Sequence, residues 1–238
     1  MPGSRESLLL LPGLVCDQAV WQQQMDALAD VADCTCADYG ALDSIPAMAE
    51  AALRTGPERF AVAGHSMGGR VALEICRLAP ERVARIALLN TGYLPLAHGE
   101  AGDEERRKRG ELVTLARSQG MRAMLKQWLP PMVDSKRMTD TALVNSIIEM
   151  MSRKTPDIFD AQVRALLARP DASAVLGEIR CPALLLTGRE DGWSGPAQHE
   201  AMAARIRGSQ LVIVPDCGHM STMERPGEVT AALRAWLA

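Results

Sequence analysis

Aromatic residues are scarce in this chain of 238 residues, where Phe, Trp and Tyr together make up only 3% of the sequence. The net charge at pH 7 is only −3, and no basic run is interleaved with aromatic residues. Binding to nucleic acid or to an anionic membrane surface requires a concentrated basic surface. We therefore expect neither nucleic acid nor a membrane as a partner.

Cysteine pairs, long apolar runs and cofactor motifs are also missing. The six cysteines include no Cys-x-x-Cys pair, so they lack the spacing of a zinc site. The leucines at 8–11 stop at Pro12, which is too short for a signal-peptide core or a membrane span. Without an export signal we expect a cytoplasmic protein with reduced thiols. No phosphate loop, dinucleotide fingerprint or metal cluster occurs, so we predict no cofactor and no metal.

Short apolar runs alternate with longer helix-like stretches. Runs that are continuously apolar are typical of strands covered on both faces of a parallel sheet. The pattern predicts an α/β fold with a mostly parallel sheet of about six strands flanked by helices. The strand candidates are residues 8–11, 34–37 (the weakest), 60–63, 86–89, 183–186 and 211–214, and the helix candidates are residues 21–30, 47–53, 67–77, 197–206 and 226–237.

The segment 95–171 breaks this alternation because it contains helix signals and no strand candidate. Thr155 followed by Pro156 predicts a helix start, and Asp140 is a second candidate N-cap. So long a helical insertion between two strands indicates a lid, not a connector. We therefore predict an α/β core formed by residues 1–94 and 172–238, with residues 95–171 inserted as a helical cap.

The sequence Gly64-His65-Ser66-Met67-Gly68-Gly69 lies between a strand candidate and a helix candidate. It has the Gly-x-Ser-x-Gly form of a nucleophile elbow, a sharp strand-to-helix turn that exposes the serine hydroxyl. The flanking glycines leave room for the crowded backbones of such a turn. A Gly-rich turn without function is the alternative, but the position between strand and helix favours Ser66 as a nucleophile.

A serine nucleophile needs a base, and the chain has only four histidines. His65 adjoins Ser66 on a tight turn and is expected to point away, His98 begins the cap, and His199 falls in a predicted surface helix. His219 follows the strand candidate 211–214 and precedes the last helix. It is therefore expected at the carboxyl edge of the sheet, where sites of open α/β sheets lie, and we predict it as the base.

The base needs a carboxylate that fixes the tautomer of its imidazole ring. Asp191 follows the strand candidate 183–186, so we predict it as the acid, with the neighbouring Glu190 as the less favoured rival. The strand candidate 86–89 ends in Asn90 and offers no competing acid. Two backbone amides should form an oxyanion hole. We predict those of Met67, which follows the nucleophile, and Leu14, in the loop after the first strand.

Several segments together resemble the α/β-hydrolase superfamily, in its small esterase and enol-lactonase branch. They read Leu-Leu-Pro-Gly-Leu, Gly-His-Ser-Met-Gly-Gly, Arg-Val-Ala-Leu-Glu, Cys-Pro-Ala-Leu-Leu-Leu-Thr-Gly-Arg-Glu-Asp and Gly-His-Met-Ser-Thr-Met-Glu-Arg-Pro. The resemblance implies a parallel sheet, a helical cap and hydrolysis through an acyl-enzyme. Pro12-Gly13 stands where the family commonly has His-Gly. Because the first strand candidate begins at Leu8, we expect the sheet to lack the two antiparallel strands that often precede it in the family.

The expected function is hydrolysis of carboxylic esters of small to medium apolar substrates by Ser66, His219 and Asp191. Enol-lactonase, carbon–carbon bond hydrolase, thioesterase and perhydrolase activities remain alternatives on the same residues, and a small-molecule receptor is the non-enzyme alternative. Methionines of the cap could line the pocket, and Trp193 could border the site or only pack. The sequence leaves open the acyl chain, the alcohol, the stereoselectivity and the choice between monomer and homodimer.

Overall fold

A computed structural model describes residues 5–238, so residues 1–4 of the predicted core range lie outside the described residues. Within the described chain, six strands form one sheet in the order β2-β1-β3-β4-β5-β6, and every neighbouring pair is parallel. The strands are β1 (Glu6–Leu11), β2 (Ala32–Cys36), β3 (Phe60–His65), β4 (Val83–Leu89), β5 (Ala183–Gly188) and β6 (Gln210–Val214). The predicted parallel sheet of six strands is thereby confirmed.

Helices connect these strands. They are α1 (Gln22–Leu28), α2 (Ile45–Thr55), α3 (Met67–Leu78), α4 (Glu100–Gln119), α5 (Met121–Trp128), α6 (Thr141–Ser152), α7 (Pro156–Leu167), α8 (Ser173–Glu178), α9 (Pro196–Ala203), α10 (Ser221–Glu224) and α11 (Pro226–Leu237). The Thr155 side chain accepts a hydrogen bond from the Ile158 amide and caps α7, as predicted, and Asp140 caps α6 in the same way. None of the helices described within residues 5–238 is long and apolar enough to cross a membrane.

The sheet is the centre of the hydrophobic core. All residues of β3 and β5 are buried, as the continuous apolar runs predicted. Helix α3 packs on β1, β3 and β4 and against α2, whereas α1 packs against α11. Because crossovers between parallel strands are right-handed, the chain leaves β1 and β3 towards opposite faces of the sheet. The carboxyl ends of β1 and β3 therefore mark the position where such folds usually bind a ligand, and we call this position the crevice.

The segment between β4 and β5 contains α4 to α8. Helix α5 packs against α4 and α6, and α7 packs against α4. We use the name cap segment for residues 95–171, and its assignment as a separate cap stays a prediction. Its contacts with the carboxyl end of the sheet include a hydrogen bond from the His219 amide to the Met132 carbonyl. These contacts place the cap segment beside the crevice.

Candidate active site

Ser66 lies on the turn that joins β3 to α3. Its φ of 55° and ψ of −117° form a backbone conformation that residues other than glycine rarely adopt. A side chain at position 64 would collide with the Gly68 carbonyl, and one at position 68 with the Leu11 carbonyl. The Ser66 amide donates to the Leu89 carbonyl at 2.9 Å, and the Thr91 hydroxyl donates to the Ser66 carbonyl at 2.6 Å. The strained turn is therefore fixed by the end of β4 and leaves the Ser66 hydroxyl partly exposed.

His219 lies in the loop after β6 and contacts Ser66, which is 153 positions away in the sequence. Its Nε2 lies 2.8 Å from the Ser66 Oγ, and its Nδ1 lies 2.9 Å from the Asp191 Oδ2. Because a carboxylate can only accept, Nδ1 carries the proton that it donates to Asp191. Nε2 is then an acceptor for the Ser66 hydroxyl. The three side chains form one continuous chain of hydrogen bonds.

Asp191 is buried in the loop after β5 and is surrounded by donors. Its Oδ1 accepts from the amides of Trp193 and Ser194 at 2.9 Å each, and its Oδ2 accepts from the Asn90 side chain at 2.9 Å. Burial acts to raise the pKa of Asp191, but the His219 ring and these donors lower it overall, below the ordinary value. Asp191 is thereby held as a carboxylate facing His219.

Asn90 is a part of the site that the sequence analysis did not identify. It follows β4 with a φ of 48° and is fully buried. Besides Asp191, its side-chain amide donates to the Gly218 carbonyl at 3.2 Å, and its carbonyl accepts from the Ser221 hydroxyl. Asn90 therefore fixes both Asp191 and the loop that carries His219. The signal in the sequence that could identify Asn90 is its position directly after a strand candidate.

Glu224 is the second such residue, and it holds the His219 loop to the cap segment. Its buried carboxylate accepts from the Gly218 amide at 3.1 Å, from the Met220 amide at 3.0 Å and from the Asp134 amide at 2.9 Å. Burial raises the pKa of Glu224, although these three amides act in the opposite direction. Because Gly218 and Met220 flank His219, the carboxylate orients the backbone on both sides of His219.

The loop after β1 brings a second backbone against Ser66. A Cβ at Gly13 would lie 3.3 Å from the Ser66 Cβ, so glycine allows this close approach. Within residues 5–238, neither the Leu14 amide nor the Met67 amide donates a hydrogen bond to the protein. The Val15 amide, by contrast, donates to the buried Gln162 side chain of the cap segment at 2.8 Å. The two predicted oxyanion donors thus remain available for another acceptor.

The other histidines occupy different environments. His65 is buried and its Nε2 donates to the His219 carbonyl at 2.8 Å, while burial and the nearby His219 lower its pKa to about 4. His199 lies in α9, which exposes one face to solvent as predicted, but its side chain is on the opposite face, against the sheet. His199 is fully buried, and its Nε2 accepts from the Thr91 amide at 3.4 Å, because α9 packs on β5 and β6. His98 is exposed before α4.

Glu190, the rival acid, has an exposed side chain that accepts from the Cys217 amide at 2.8 Å. It supports the His219 loop from outside and is not the partner of the His219 ring. Among residues 5–238, no group of three or more His, Cys, Asp or Glu side chains is arranged to hold a metal ion.

Comparisons with known proteins bear on the family and the fold. A family model described as the alpha/beta hydrolase family matches residues 8–233. The pimeloyl-[acyl-carrier protein] methyl ester esterase of Nitrosomonas europaea is 26% identical over 98% of this chain and 96% of its own length. A 2-hydroxy-6-oxononadienedioate/2-hydroxy-6-oxononatrienedioate hydrolase of Klebsiella pneumoniae is 28% identical over 77% of this chain and 64% of its own length.

A solved structure of a thermophilic esterase from Thermogutta terrifontis superimposes with a TM-score of 0.85 at 28% identity. The superposition covers 99% of this chain and 90% of the other. This similarity extends over the sheet and the segment between β4 and β5 together. The fold around the crevice is thus shared as a whole.

Proposed function

This chain belongs to the alpha/beta hydrolase family, and on that premise we propose that it hydrolyses carboxylic esters through an acyl-enzyme on Ser66. The observation that carries the proposal is the 2.8 Å contact between the Ser66 Oγ and the His219 Nε2. It makes the hydroxyl a candidate nucleophile, because a serine reacts only when a positioned base takes its proton. Asp191 on the opposite ring nitrogen stabilises the imidazolium that forms.

In the proposed reaction the Ser66 oxygen bonds to the ester carbonyl carbon while His219 Nε2 takes the hydroxyl proton. The tetrahedral intermediate collapses, and the leaving alkoxide takes that proton and departs as the alcohol. Water then attacks the acyl-enzyme with His219 again as base. The acid is released and the Ser66 hydroxyl is restored, so no cofactor is consumed.

The amides of Leu14 and Met67 are the proposed donors to the oxyanion. The Met67 amide lies at the start of α3, where the helix dipole favours negative charge. An oxyanion donor contributes on the order of 10²–10³-fold in rate. Both amides lack a protein acceptor within the described chain, which supports their assignment.

The proposed substrates are esters of small to medium apolar acids. Several methionines of the cap segment are buried among apolar side chains, and methionine adapts to varied apolar groups. The relatives described above include two proteins named as esterases. Their names support ester hydrolysis as the reaction class for this chain.

Carbon–carbon bond hydrolysis is a second candidate, favoured by the 28% identical hydrolase of Klebsiella pneumoniae. It would use the same Ser66, His219 and Asp191. A panel of p-nitrophenyl esters of increasing acyl length, run beside lactones, thioesters and a 2-hydroxy-6-oxodienoate, separates the activities. We expect the highest kcat/KM on a p-nitrophenyl ester of a short or medium acid. Higher kcat/KM on the dienoate would replace the ester proposal with the second candidate.

A further inference from the structure

Trp193 is a large apolar residue that the structure keeps 42% exposed. It lies in the loop after β5, two residues beyond Asp191, and its amide donates to the Asp191 carboxylate at 2.9 Å. The loop is therefore held in place at the site. Leu78 and Leu94 are also large, apolar and exposed. Trp193 differs from them because its ring packs against the ring of His219.

The Trp193 ring continues into a row of aromatic side chains. Its centre lies 5.0 Å from that of His219 at 61°, and 5.8 Å from that of Trp128 at 25°. Trp128 in turn lies 5.6 Å from Phe159. We call Trp193, Trp128 and Phe159 the aromatic shelf. The shelf holds two of the four tryptophans and one of the two phenylalanines of the chain, and it leads from His219 to the cap segment.

The proposed reaction determines which part of the substrate contacts the aromatic shelf. His219 Nε2 returns its proton to the leaving oxygen, so the leaving alcohol must lie beside the His219 ring. The acyl carbon is bonded to Ser66, and its carbonyl oxygen faces the oxyanion donors. Since Trp193 contacts the His219 ring and keeps part of its surface exposed, it is placed to contact the alcohol.

We propose that Trp193 determines specificity for the leaving group and that the preferred substrates carry a planar, unsaturated or aromatic alcohol. The proposal rests on the proposed ester hydrolysis and extends it to the alcohol side. Aromatic rings gain from offset or edge-to-face contacts beyond the apolar area that they bury. Such a contact corresponds to about a threefold to tenfold preference over a saturated ring of similar size.

Benzyl acetate and cyclohexylmethyl acetate test this, because both release primary alcohols with six-membered rings and share the acyl group. Wild-type kcat/KM should favour benzyl acetate by about threefold to tenfold. Trp193→Leu should bring the ratio close to one, and Trp193→Phe should keep most of it. Leu78→Ala is the matched control, because Leu78 is similarly exposed at the far end of α3, and it should leave the ratio unchanged.

A second comparison separates the alcohol from the acyl group. The ratio of kcat/KM for benzyl acetate and benzyl butyrate should be the same in wild type and Trp193→Leu. A change in this acyl ratio with an unchanged alcohol ratio would overturn the proposal. An unchanged alcohol ratio with a lowered melting temperature would do so as well, since Trp193 would then only close the cap segment onto the core.

Binding of the free alcohols provides a readout that does not depend on turnover. In saturation-transfer NMR, wild type should bind benzyl alcohol more tightly than cyclohexylmethanol, and Trp193→Leu should lose the difference. Equal binding of both alcohols by wild type would overturn the proposal. If neither ester is hydrolysed while the alcohol preference and its loss are observed, the proposed ester hydrolysis fails and the aromatic shelf stands.

Discussion

The two ends of the sheet differ in what they offer to a ligand. At the amino end, a cavity of about 540 Å³ lies before β4 and β5, and its lining includes Cys76, Glu178 and Cys181. Burial raises the pKa of both thiols, which keeps them protonated and poorly nucleophilic. At the carboxyl end, Ser66, His219 and Asp191 are joined by hydrogen bonds and fixed by surrounding donors. Volume alone does not make a reactive site.

The difference arises from the topology. The strand-end loops after β1, β3, β4, β5 and β6 converge at the carboxyl end, and each contributes a polar group to the site. At the amino end the chain enters its strands through connections such as Arg59 before β3 and Pro182 before β5, which line the cavity. We therefore expect substitutions at the carboxyl end of the sheet to have large effects on activity and substitutions at the amino end to have small ones.

Removing the nucleophile should have the largest effect. Ser66→Ala should lower kcat on p-nitrophenyl butyrate by about 10⁶-fold, because the hydroxyl and its base act as a unit. The variant should keep the circular-dichroism spectrum and melting behaviour of a folded chain. Retention of wild-type turnover would show that the reaction does not use Ser66, and the carboxyl end of the sheet would then have no more claim to the active site than the amino-end cavity.

Changing the acid should have the next largest effect. Asp191→Asn should lower kcat by about 10⁴-fold, because the amide no longer fixes the His219 tautomer. The pKa of Asp191 is lowered in the fold. Its carboxylate therefore stabilises the native state at pH values above the ordinary pKa of aspartate. This contribution is lost as pH falls through the folded-state pKa.

Urea unfolding across that range provides the measurement. The free energy of unfolding of wild type relative to Asp191→Asn should be greatest near neutral pH and shrink on acidification below about pH 4. A difference that grew on acidification would contradict the lowered pKa.

Glu224→Gln should have an intermediate effect. The amide replaces one acceptor oxygen by a donor, so one of the three amides that orient the His219 loop loses its partner. A misplaced base should lower kcat by about tenfold to 100-fold, with KM nearly unchanged. Glu178→Gln, at the amino-end cavity, is the matched control. Equal activities of the two variants would show that the Glu224 contacts do not position His219.

Cys181→Ser should have the smallest effect. The residue lines the amino-end cavity and touches none of the proposed reacting groups, so kcat/KM should stay close to that of wild type. The free energy of unfolding should change by no more than about 0.5 kcal/mol, as at partly exposed positions generally. A loss of activity comparable to that of Glu224→Gln would show that the amino-end cavity takes part in function.

The parts that the sequence could predict are those with local signals. Five apolar runs and the weaker candidate 34–37 correspond to strands. The glycines at 64 and 68 indicate the crowded turn around Ser66. Asp191 and His219 could be chosen because each follows a strand. The strand order has no local signal, since it depends on which strands pair.

Supporting residues escaped prediction because their partners are distant in sequence. Asn90 donates to a carboxylate 101 positions away, and Glu224 accepts from an amide 90 positions away. The buried His199 ring likewise accepts from Thr91, which lies 108 positions away. No helical or strand period reveals such contacts, because they come from the convergence of separate loops. The sequence therefore identifies the proposed reacting groups more readily than the residues that hold them in place.

The central claim is that Ser66 is a competent nucleophile activated by His219. Treatment with a fluorophosphonate, followed by proteolysis and mass spectrometry, tests it most directly. We expect one adduct on the peptide that contains Ser66, and strongly slowed labelling in His219→Ala. Absence of labelling in folded wild-type protein, or an adduct on another residue, would contradict it.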